Sequence, residues 1–249
     1  QRDPDPANRT AFIHGYSQLP GDALRLVPFL EPAGTNADFR SALCAALALV
    51  DWGAFTPAEQ VALRFAMTGL YTQAPDGGTH GAAACALTRW GQPLPDLTER
   101  TNQPPPGRHW FVNYVGMTMI RLPAGTFLRG SATGEDDEKP VHKVTLPMPF
   151  FISDREVTVA MFRQFTNEVA HDTNTPALER LTDWQGEAGR FSPTTNCPVQ
   201  GVSWFDAVKF CNWLSRQEKR TPCYQARGEE DWVFNPQADG YRLPTEAEW

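Results

Sequence analysis

The first ninety residues place apolar side chains at the three- and four-residue intervals of amphipathic helices. In the Ala- and Leu-rich stretch 38–50, Leu43, Ala46, Leu47 and Val50 recur at helical spacing. This pattern predicts a helix with one face turned towards a core.

A second helix is indicated by its start signals. Thr56 can act as the N-cap, Pro57 fits the first helical position, and Glu59 can close a capping box. The apolar stripe that we expect to face the core consists of Val61, Phe65 and Leu70.

A third helix is predicted to run from Thr79 to Trp90, with Gly91 as its C-terminal stop. Short helices separated by Pro- and Gly-rich breaks predict a helical module over residues 1–91. A repeat, a small bundle and a plain helical domain all fit this pattern.

Residues 92–112 form the expected linker between two domains. Pro93, Pro95 and the three prolines at 104–106 oppose helix and favour extended chain. The second domain is expected to cover residues 113–249, so the fold class is predicted to be α+β.

Beyond the linker, apolar and polar residues alternate with the period of strands. The predicted strands are 117–122, 126–129, 141–146, 150–152 and 232–234. Thr158 can cap a helix carrying Phe162, Phe165 and Val169, and 171–198 reads as a long irregular insertion. Residues 130–140 form an acidic loop, which we expect to be a solvated turn rather than a calcium site.

A further helix is predicted within 198–216. Ser203 and Asp206 have the spacing of a capping pair, and apolar residues then occur on nearly every side. A helix that is apolar all round is expected to be buried.

Composition narrows the functional class. The net charge of −7 provides no basic footprint for nucleic acid. No apolar run approaches the roughly 20 residues that span a bilayer. The chain does not open on a signal-peptide pattern, so we expect a cytoplasmic location.

The five cysteines show neither CxxC nor zinc-finger spacing. We expect Cys44 and Cys85, which lie in apolar helical stretches, to be buried and reduced. Cys197 has no adjacent His or Lys to lower its pKa, and no role is predicted for it. Cys211 and Cys223 could form a copper or disulfide pair, but two structural thiols are the favoured interpretation.

Six sequence elements occur in the order that is typical of one family. They lie at 117–131, where Arg121 and Leu122 are inserted into a Met-x-x-Ile-Pro-x-Gly-x-Phe-x-x-Gly-Ser pattern, and at 137–142, 156–158, 198–215, 221–224 and 240–249. The most specific is the string Gly-Tyr-Arg-Leu-Pro-Thr-Glu-Ala-Glu-Trp at 240–249. The region 113–249 thereby resembles the N-terminal part of the formylglycine-generating, or sulfatase-modifying factor, domain. This domain has an irregular fold similar to that of C-type lectins.

The resemblance implies a parent protein that oxidises a cysteine of a peptide or protein substrate to formylglycine, with oxygen and copper. In this family the two reactive cysteines, the copper and the calcium sites belong to the second half of the domain. We therefore expect no catalytic or metal-binding residue within this chain, and the catalytic residues beyond Trp249. In some relatives the position that resembles Cys211 bonds a cysteine of that second half.

The residues that carry the resemblance are expected to be structural. They are Trp204, Asp206, Cys211, Trp213, Arg242, Pro244, Thr245, Glu246, Glu248 and Trp249. Thr245 and Glu248 should form the capping box of a helix that Trp249 anchors, and Arg242 should make a buried ion pair or carbonyl bonds.

Two alternatives remain. Relatives that keep the fold without the reactive cysteines would be binding or interaction modules, some of them attached to other domains such as protein kinases. Iron-dependent sulfoxide synthases share the fold, but His14 and His80 stand apart here and lack a close helical spacing.

Overall fold

The computed structural model describes residues 6–16, 21–31, 36–171, 176–177 and 191–249. It divides into two compact units. The first comprises Gln1–Glu99 and Gln103–Phe111, and the second comprises Arg100–Asn102 and Val112–Trp249.

The helices are α1 (Pro6–Tyr16), α2 (Val27–Leu30), α3 (Ala37–Leu47), α4 (Pro57–Gln73), α5 (Gly77–Arg89), α6 (Val159–His171) and α7 (Trp204–Gln217). The strands are β1 (Trp110–Val112), β2 (Thr118–Leu122), β3 (Gly125–Arg129), β4 (His142–Leu146), β5 (Phe150–Ser153), β6 (Tyr224–Ala226) and β7 (Trp232–Phe234). None of the described helices combines the length and the apolar character that crossing a membrane requires.

The predicted capping box of α4 is confirmed. The Glu59 backbone N–H donates to Thr56 Oγ1 at 3.4 Å, and Glu59 Oε2 accepts from the Thr56 backbone N–H at 2.8 Å. The other carboxylate oxygen of Glu59 accepts from the Ala23 backbone N–H at 2.8 Å. The Glu59 carboxylate therefore caps the N-terminus of α4 and also binds the short 3₁₀ turn Ala23–Leu26 that precedes α2.

The stripe predicted to face the core on α4 is wrong at two of its three positions. Val61 is 62% exposed and Phe65 is 83% exposed, whereas Leu70 is buried. The buried face instead runs through Leu63 and Met67. Two apolar rows occur on this helix, and packing against α5 and α2 buries only one of them.

Helix α5 begins two residues before the predicted Thr79. Its N-cap is Asp76, whose side chain accepts from the Thr79 backbone N–H at 2.7 Å. Asp76 also pairs with the buried Arg40 at 2.7 Å. The predicted stop is confirmed, because Gly91 has φ +67° and the Gln92 backbone N–H donates to the Leu87 carbonyl at 2.9 Å.

His80 is fully buried in the first unit. Its ring stacks on Tyr71 with a centroid distance of 4.8 Å and on Trp110 at 3.9 Å. Its Nδ1 lies 2.6 Å from the Tyr71 carbonyl oxygen. These contacts assign His80 to the core.

Among the described residues, the strands form one three-stranded sheet, ordered β1-β2-β5, and two antiparallel pairs, β3-β4 and β6-β7. Ile120 pairs with Ile152, and Phe127 pairs with Val144. Five strands agree with the predicted bounds to within one or two residues, namely β2, β3, β4, β5 and β7. The three-residue strands β1 and β6 were not predicted, and β1 falls inside the predicted linker.

The predicted Thr158 cap is confirmed, because its hydroxyl accepts from the Met161 backbone N–H at 3.3 Å. Helices α6 and α7 pack through aromatic rings. Phe165 contacts Phe210 at 5.7 Å and Trp213 at 5.4 Å between centroids. Most of the predicted insertion 171–198 lies outside the described residues.

Candidate functional site

The string 240–249 ends in a hydrogen-bonded turn that is held by an ion pair. The Nη1 and Nη2 atoms of Arg242 each donate to one carboxylate oxygen of Glu248 at 2.6 Å. Nη1 also donates to the Leu243 carbonyl at 3.1 Å. The ion pair and the carbonyl bond predicted for Arg242 are confirmed, but the Arg242 side chain is 30% exposed, so the pair is only partly buried.

Thr245 and Glu248 form the predicted capping box, but residues 246–248 form a turn and not the predicted helix. The Thr245 backbone N–H donates to Glu248 Oε2 at 2.9 Å, and the Glu248 backbone N–H donates to Thr245 Oγ1 at 3.3 Å. The hydrogen bonds from Arg242, and then those from Thr245, lower the pKa of Glu248 to about 2. Glu248 is thus an anion at neutral pH and carries no proton to donate.

Three other residues of the string, Pro244, Glu246 and Trp249, lie at the surface. Pro244 is exposed, and the Glu246 side chain, 77% exposed, pairs with Arg129. Trp249 is 83% exposed, so the prediction that it anchors the turn is wrong. The Thr245–Glu248 hydrogen bonds, rather than apolar packing, hold this turn.

Helix α7 presents a polar start and a buried end. Ser203 and Asp206 form the predicted capping box, with the Asp206 backbone N–H donating to Ser203 Oγ at 3.1 Å. Trp204 is 49% exposed and lies edge-to-face on Tyr224 at 5.8 Å, whereas Trp213 is buried. The expectation that the whole helix is buried is therefore wrong for its first turn.

Asn212 joins α7 to β6. Its Nδ2 donates to the Tyr224 carbonyl at 2.6 Å, and its Oδ1 accepts from the Tyr224 backbone N–H at 3.1 Å. The amide takes the place of a neighbouring strand, because it satisfies both backbone groups of one residue at a sheet edge. We call this pair of bonds the Asn212 clamp.

Cys211 and Cys223 share one apolar cluster beneath the clamp. They pack with Val208 and Tyr224 and are 7% and 1% exposed. Burial, with a smaller contribution from the charge of Cys223, raises the pKa of Cys211 to about 12, and burial also raises the pKa of Cys223. Both are free thiols.

Two polar side chains, Ser215 of α7 and Glu218 at its C-cap, position the first residues of the string 240–249. Ser215 Oγ accepts from the Tyr241 backbone N–H at 2.8 Å, and a side chain at Gly240 would clash with Ser215 and with the Thr221 carbonyl. The buried Glu218 accepts from the Tyr241 hydroxyl at 2.8 Å. Burial, followed by the Glu218 charge, raises the pKa of Tyr241.

A groove of about 570 Å³ lies beside β6. It is lined by apolar and polar side chains, among them Arg216, Pro222, Tyr224, Gln225 and Asn235. The mixture suits a small polar ligand or an extended peptide.

Residues 113–249 match the family model of the sulfatase-modifying factor enzyme 1-like domain. The chain belongs to this family. The match covers the whole region in which the six sequence elements occur, and it ends on the Thr245–Glu248 turn.

Three relatives illustrate the range of this family. The chain is 33% identical over 138 residues to the serine/threonine-protein kinase Pkn1 of Chlamydia trachomatis, covering 53% of this chain and 18% of the kinase. It is 32% identical over 149 residues to the formylglycine-generating enzyme of Streptomyces coelicolor, covering 52% of this chain and 45% of the enzyme. It is 30% identical over 153 residues to the inactive Cα-formylglycine-generating enzyme 2 of Bos taurus, covering 47% of this chain and 48% of that protein. The chain thus spans about half the length, or less, of these relatives.

The copper and calcium of the sulfatase-modifying factor family do not fit the described residues. Copper(I) needs thiolates and an approach for the substrate, whereas Cys211 and Cys223 are buried with raised pKa values. Within the described ranges, no three His, Cys, Asp or Glu side chains are grouped in a way that could hold a metal ion.

Two cysteines differ from what the sequence predicted. Hydrogen bonds involving the Thr194 side chain and backbone lower the pKa of Cys197, although no basic residue lies beside it in the sequence. Cys85, expected to be buried, is exposed, whereas Cys44 is buried as predicted. In the first case the Thr-x-x-Cys spacing was the available signal, since a hydroxyl three residues away can reach a thiol.

Proposed function

We propose that this chain supplies the framework part of a sulfatase-modifying factor domain. On this proposal the parent polypeptide oxidises a substrate cysteine to formylglycine with residues outside 1–249. The Arg242–Glu248–Thr245 arrangement is the observation that carries the proposal. It engages Arg242 and Glu248, two charged groups of the most specific motif, in hydrogen bonds with each other, so these two groups serve to shape the turn.

The buried thiols support the same division of roles. A cysteine that reacts with oxygen or with a peptide must be accessible and must ionise readily. Cys211 and Cys223 have neither property, and Cys197, whose pKa is lowered, lies outside the family motifs. The S. coelicolor relative, matched over 45% of its length, supports an oxidase as the parent.

The experiment compares the full polypeptide that carries this chain in its host with residues 1–249. Each is incubated with copper, oxygen and a Cys-x-Pro-x-Arg peptide, and formylglycine is measured by mass spectrometry. We expect product from the full polypeptide only. Cys211→Ala in the full polypeptide should preserve turnover in folded protein, and abolished turnover in a folded variant would contradict the framework role.

A non-catalytic binding module is the second candidate. The groove beside β6 favours it, as do the relatives named as a kinase and as an inactive enzyme. In the same experiment this candidate predicts that the full polypeptide binds a peptide but leaves it unchanged. Binding without product would therefore replace the oxidase proposal.

A further inference from the structure

Helix α4 carries a second apolar row that faces away from the core of the first unit. Val61 is 62% exposed and Phe65 is 83% exposed, although both side chains are large and apolar. Adjacent apolar side chains left in solvent on a folded unit are typical of a surface that another molecule covers. The row has the three- and four-residue spacing of one helix face and consists of Val61, Arg64, Phe65 and Thr68.

This row is one wall of a groove of about 400 Å³, and the segment 93–95 is the opposite wall. We call it the α4 groove. The segment is held in place because the Gln92 backbone N–H donates to the Leu87 carbonyl at 2.9 Å and the half-buried Leu94 packs against the core. Both walls therefore belong to the first unit and are fixed by its own contacts.

The two walls offer few backbone donors to an occupant. The backbone N–H groups of α4 are engaged within the helix, and Pro93 and Pro95 have no N–H, so the segment 93–95 offers at most that of Leu94. An extended peptide buried here would leave most of its carbonyl groups without donors, whereas a helix satisfies its backbone internally. The walls therefore favour a helix.

The lining also disfavours a proline-rich occupant. Peptides of that kind bind grooves that are lined by several aromatic rings. In the described part of the chain, Phe65 is the one aromatic residue that lines the α4 groove.

A cation lies between the two exposed apolar side chains of the row. Arg64 is exposed and lines the groove, and within the ranges that the structure describes it makes no salt bridge. A carboxylate of the occupant would form charged hydrogen bonds with this guanidinium. A second copy of this chain, packed through the same row, would bring another Arg64 and no carboxylate. Charge complementarity therefore favours a different partner.

We propose that the α4 groove binds an amphipathic helix of a partner protein. The helix meets Val61 and Phe65 with apolar side chains and places one carboxylate, set among them, against Arg64. Its backbone groups are satisfied within the helix, as the two walls require. This binding site lies in the first unit and is independent of the proposed formylglycine chemistry.

The test uses a fluorescein-labelled peptide of about 16 residues, long enough to form a helix. One face carries leucines at i, i+3, i+4 and i+7 with a glutamate among them, and lysine, glutamine and alanine elsewhere make the peptide electrically neutral. Its binding to residues 1–249 is measured by fluorescence anisotropy. We expect saturable binding with a Kd below about 1 mM, and binding at least about tenfold weaker when lysine replaces the glutamate.

Two variants and one control locate the site. Phe65→Ala should weaken binding of the glutamate peptide at least about tenfold, because its ring is the largest apolar group of the row. Leu128→Ala, which truncates a 72% exposed side chain of β3, should leave binding unchanged. Arg64→Glu should reverse the preference, so that the lysine peptide binds more tightly. Circular dichroism checks that each variant is folded.

Three results with folded protein would overturn the proposal: no saturable binding of the glutamate peptide, equal binding of the two peptides, or equal binding by wild type and Phe65→Ala. A peptide of the same composition with two central prolines tests the helix requirement, and equally tight binding of it would contradict a helical occupant. Sedimentation tests the remaining occupant. A wild-type dimer that Phe65→Ala dissociates would assign the groove to a second copy of this chain and overturn the proposal as well.

Discussion

At the scale of single residues, the same residue type has different roles according to its partners. Glu248 is bound by two guanidinium nitrogens and a backbone N–H, whereas the nearby Glu246 makes a surface ion pair with Arg129. An enclosed, hydrogen-bonded carboxylate contributes to stability, and an exposed pair contributes little. The two glutamates of one motif therefore form a matched pair for experiment.

We predict that Glu248→Gln lowers the free energy of unfolding by about 1.5–3 kcal/mol at pH 7, because it removes charged hydrogen bonds. The control, Glu246→Gln, should change it by less than about 1 kcal/mol. Urea unfolding followed by tryptophan fluorescence measures both. Equal effects of the two variants would contradict the assigned role of Glu248.

The same carboxylate predicts a pH dependence. The pKa of Glu248 is about 2 in the folded state and ordinarily 4.5, so its contribution is complete above 4.5 and is lost as the pH falls towards 2. The stability difference between wild type and Glu248→Gln should therefore shrink between pH 5 and pH 2. A difference that stays constant over this interval would show that the ion pair does not control the turn.

At the scale of elements, α4 shows where periodicity is insufficient. Its start follows from the local chemistry of Thr56 and Glu59, which the sequence displays in full. Its buried face depends on which apolar row meets α2 and α5, and Phe65 and Leu63 lie on different rows. Because α4 has two apolar rows, its sequence alone does not determine which row is buried, and tertiary packing decides it.

Because Leu63 is buried and Phe65 is exposed on α4, we predict that their replacement by alanine changes the stability of the first unit by different amounts. Leu63→Ala should destabilise the first unit by about 2–5 kcal/mol, because it opens a cavity in the core. Phe65→Ala should stay within about 0.5 kcal/mol, because its ring is in solvent. Thermal unfolding followed by circular dichroism distinguishes the two variants. A larger loss of stability in Phe65→Ala than in Leu63→Ala would contradict the buried face described above and support the stripe expected from the sequence.

The Asn212 clamp was not predictable from periodicity, since β6 is three residues long. We expect Asn212→Ala to lower the free energy of unfolding of the second unit by about 1–3 kcal/mol, because two Tyr224 backbone groups lose their partners. Gln225→Ala, at an exposed position of β6, is the control and should be near neutral. Hydrogen exchange at Tyr224 should accelerate in Asn212→Ala only.

At the scale of the whole molecule, the sequence predicted most of the α+β organisation and the family. The capping boxes at Ser203 and Thr245 were predictable because each depends only on residues three positions apart. The family was predictable because its motifs are specific strings of residues. The exposure of Trp249 and Cys85 was predicted incorrectly, because it depends on what packs over them. The boundaries proposed at 1–91, 92–112 and 113–249 and the framework role of the motif residues remain predictions.

The most direct measurement incubates residues 1–249 with copper, oxygen and a Cys-x-Pro-x-Arg peptide and quantifies formylglycine by mass spectrometry. Arg242, Thr245 and Glu248 hold a turn, and the thiols of Cys211 and Cys223 are buried. The chain should therefore yield no formylglycine above a blank without protein. Turnover above that blank, retained after removal of contaminating metalloenzymes and lost in Cys211→Ala, would contradict this account.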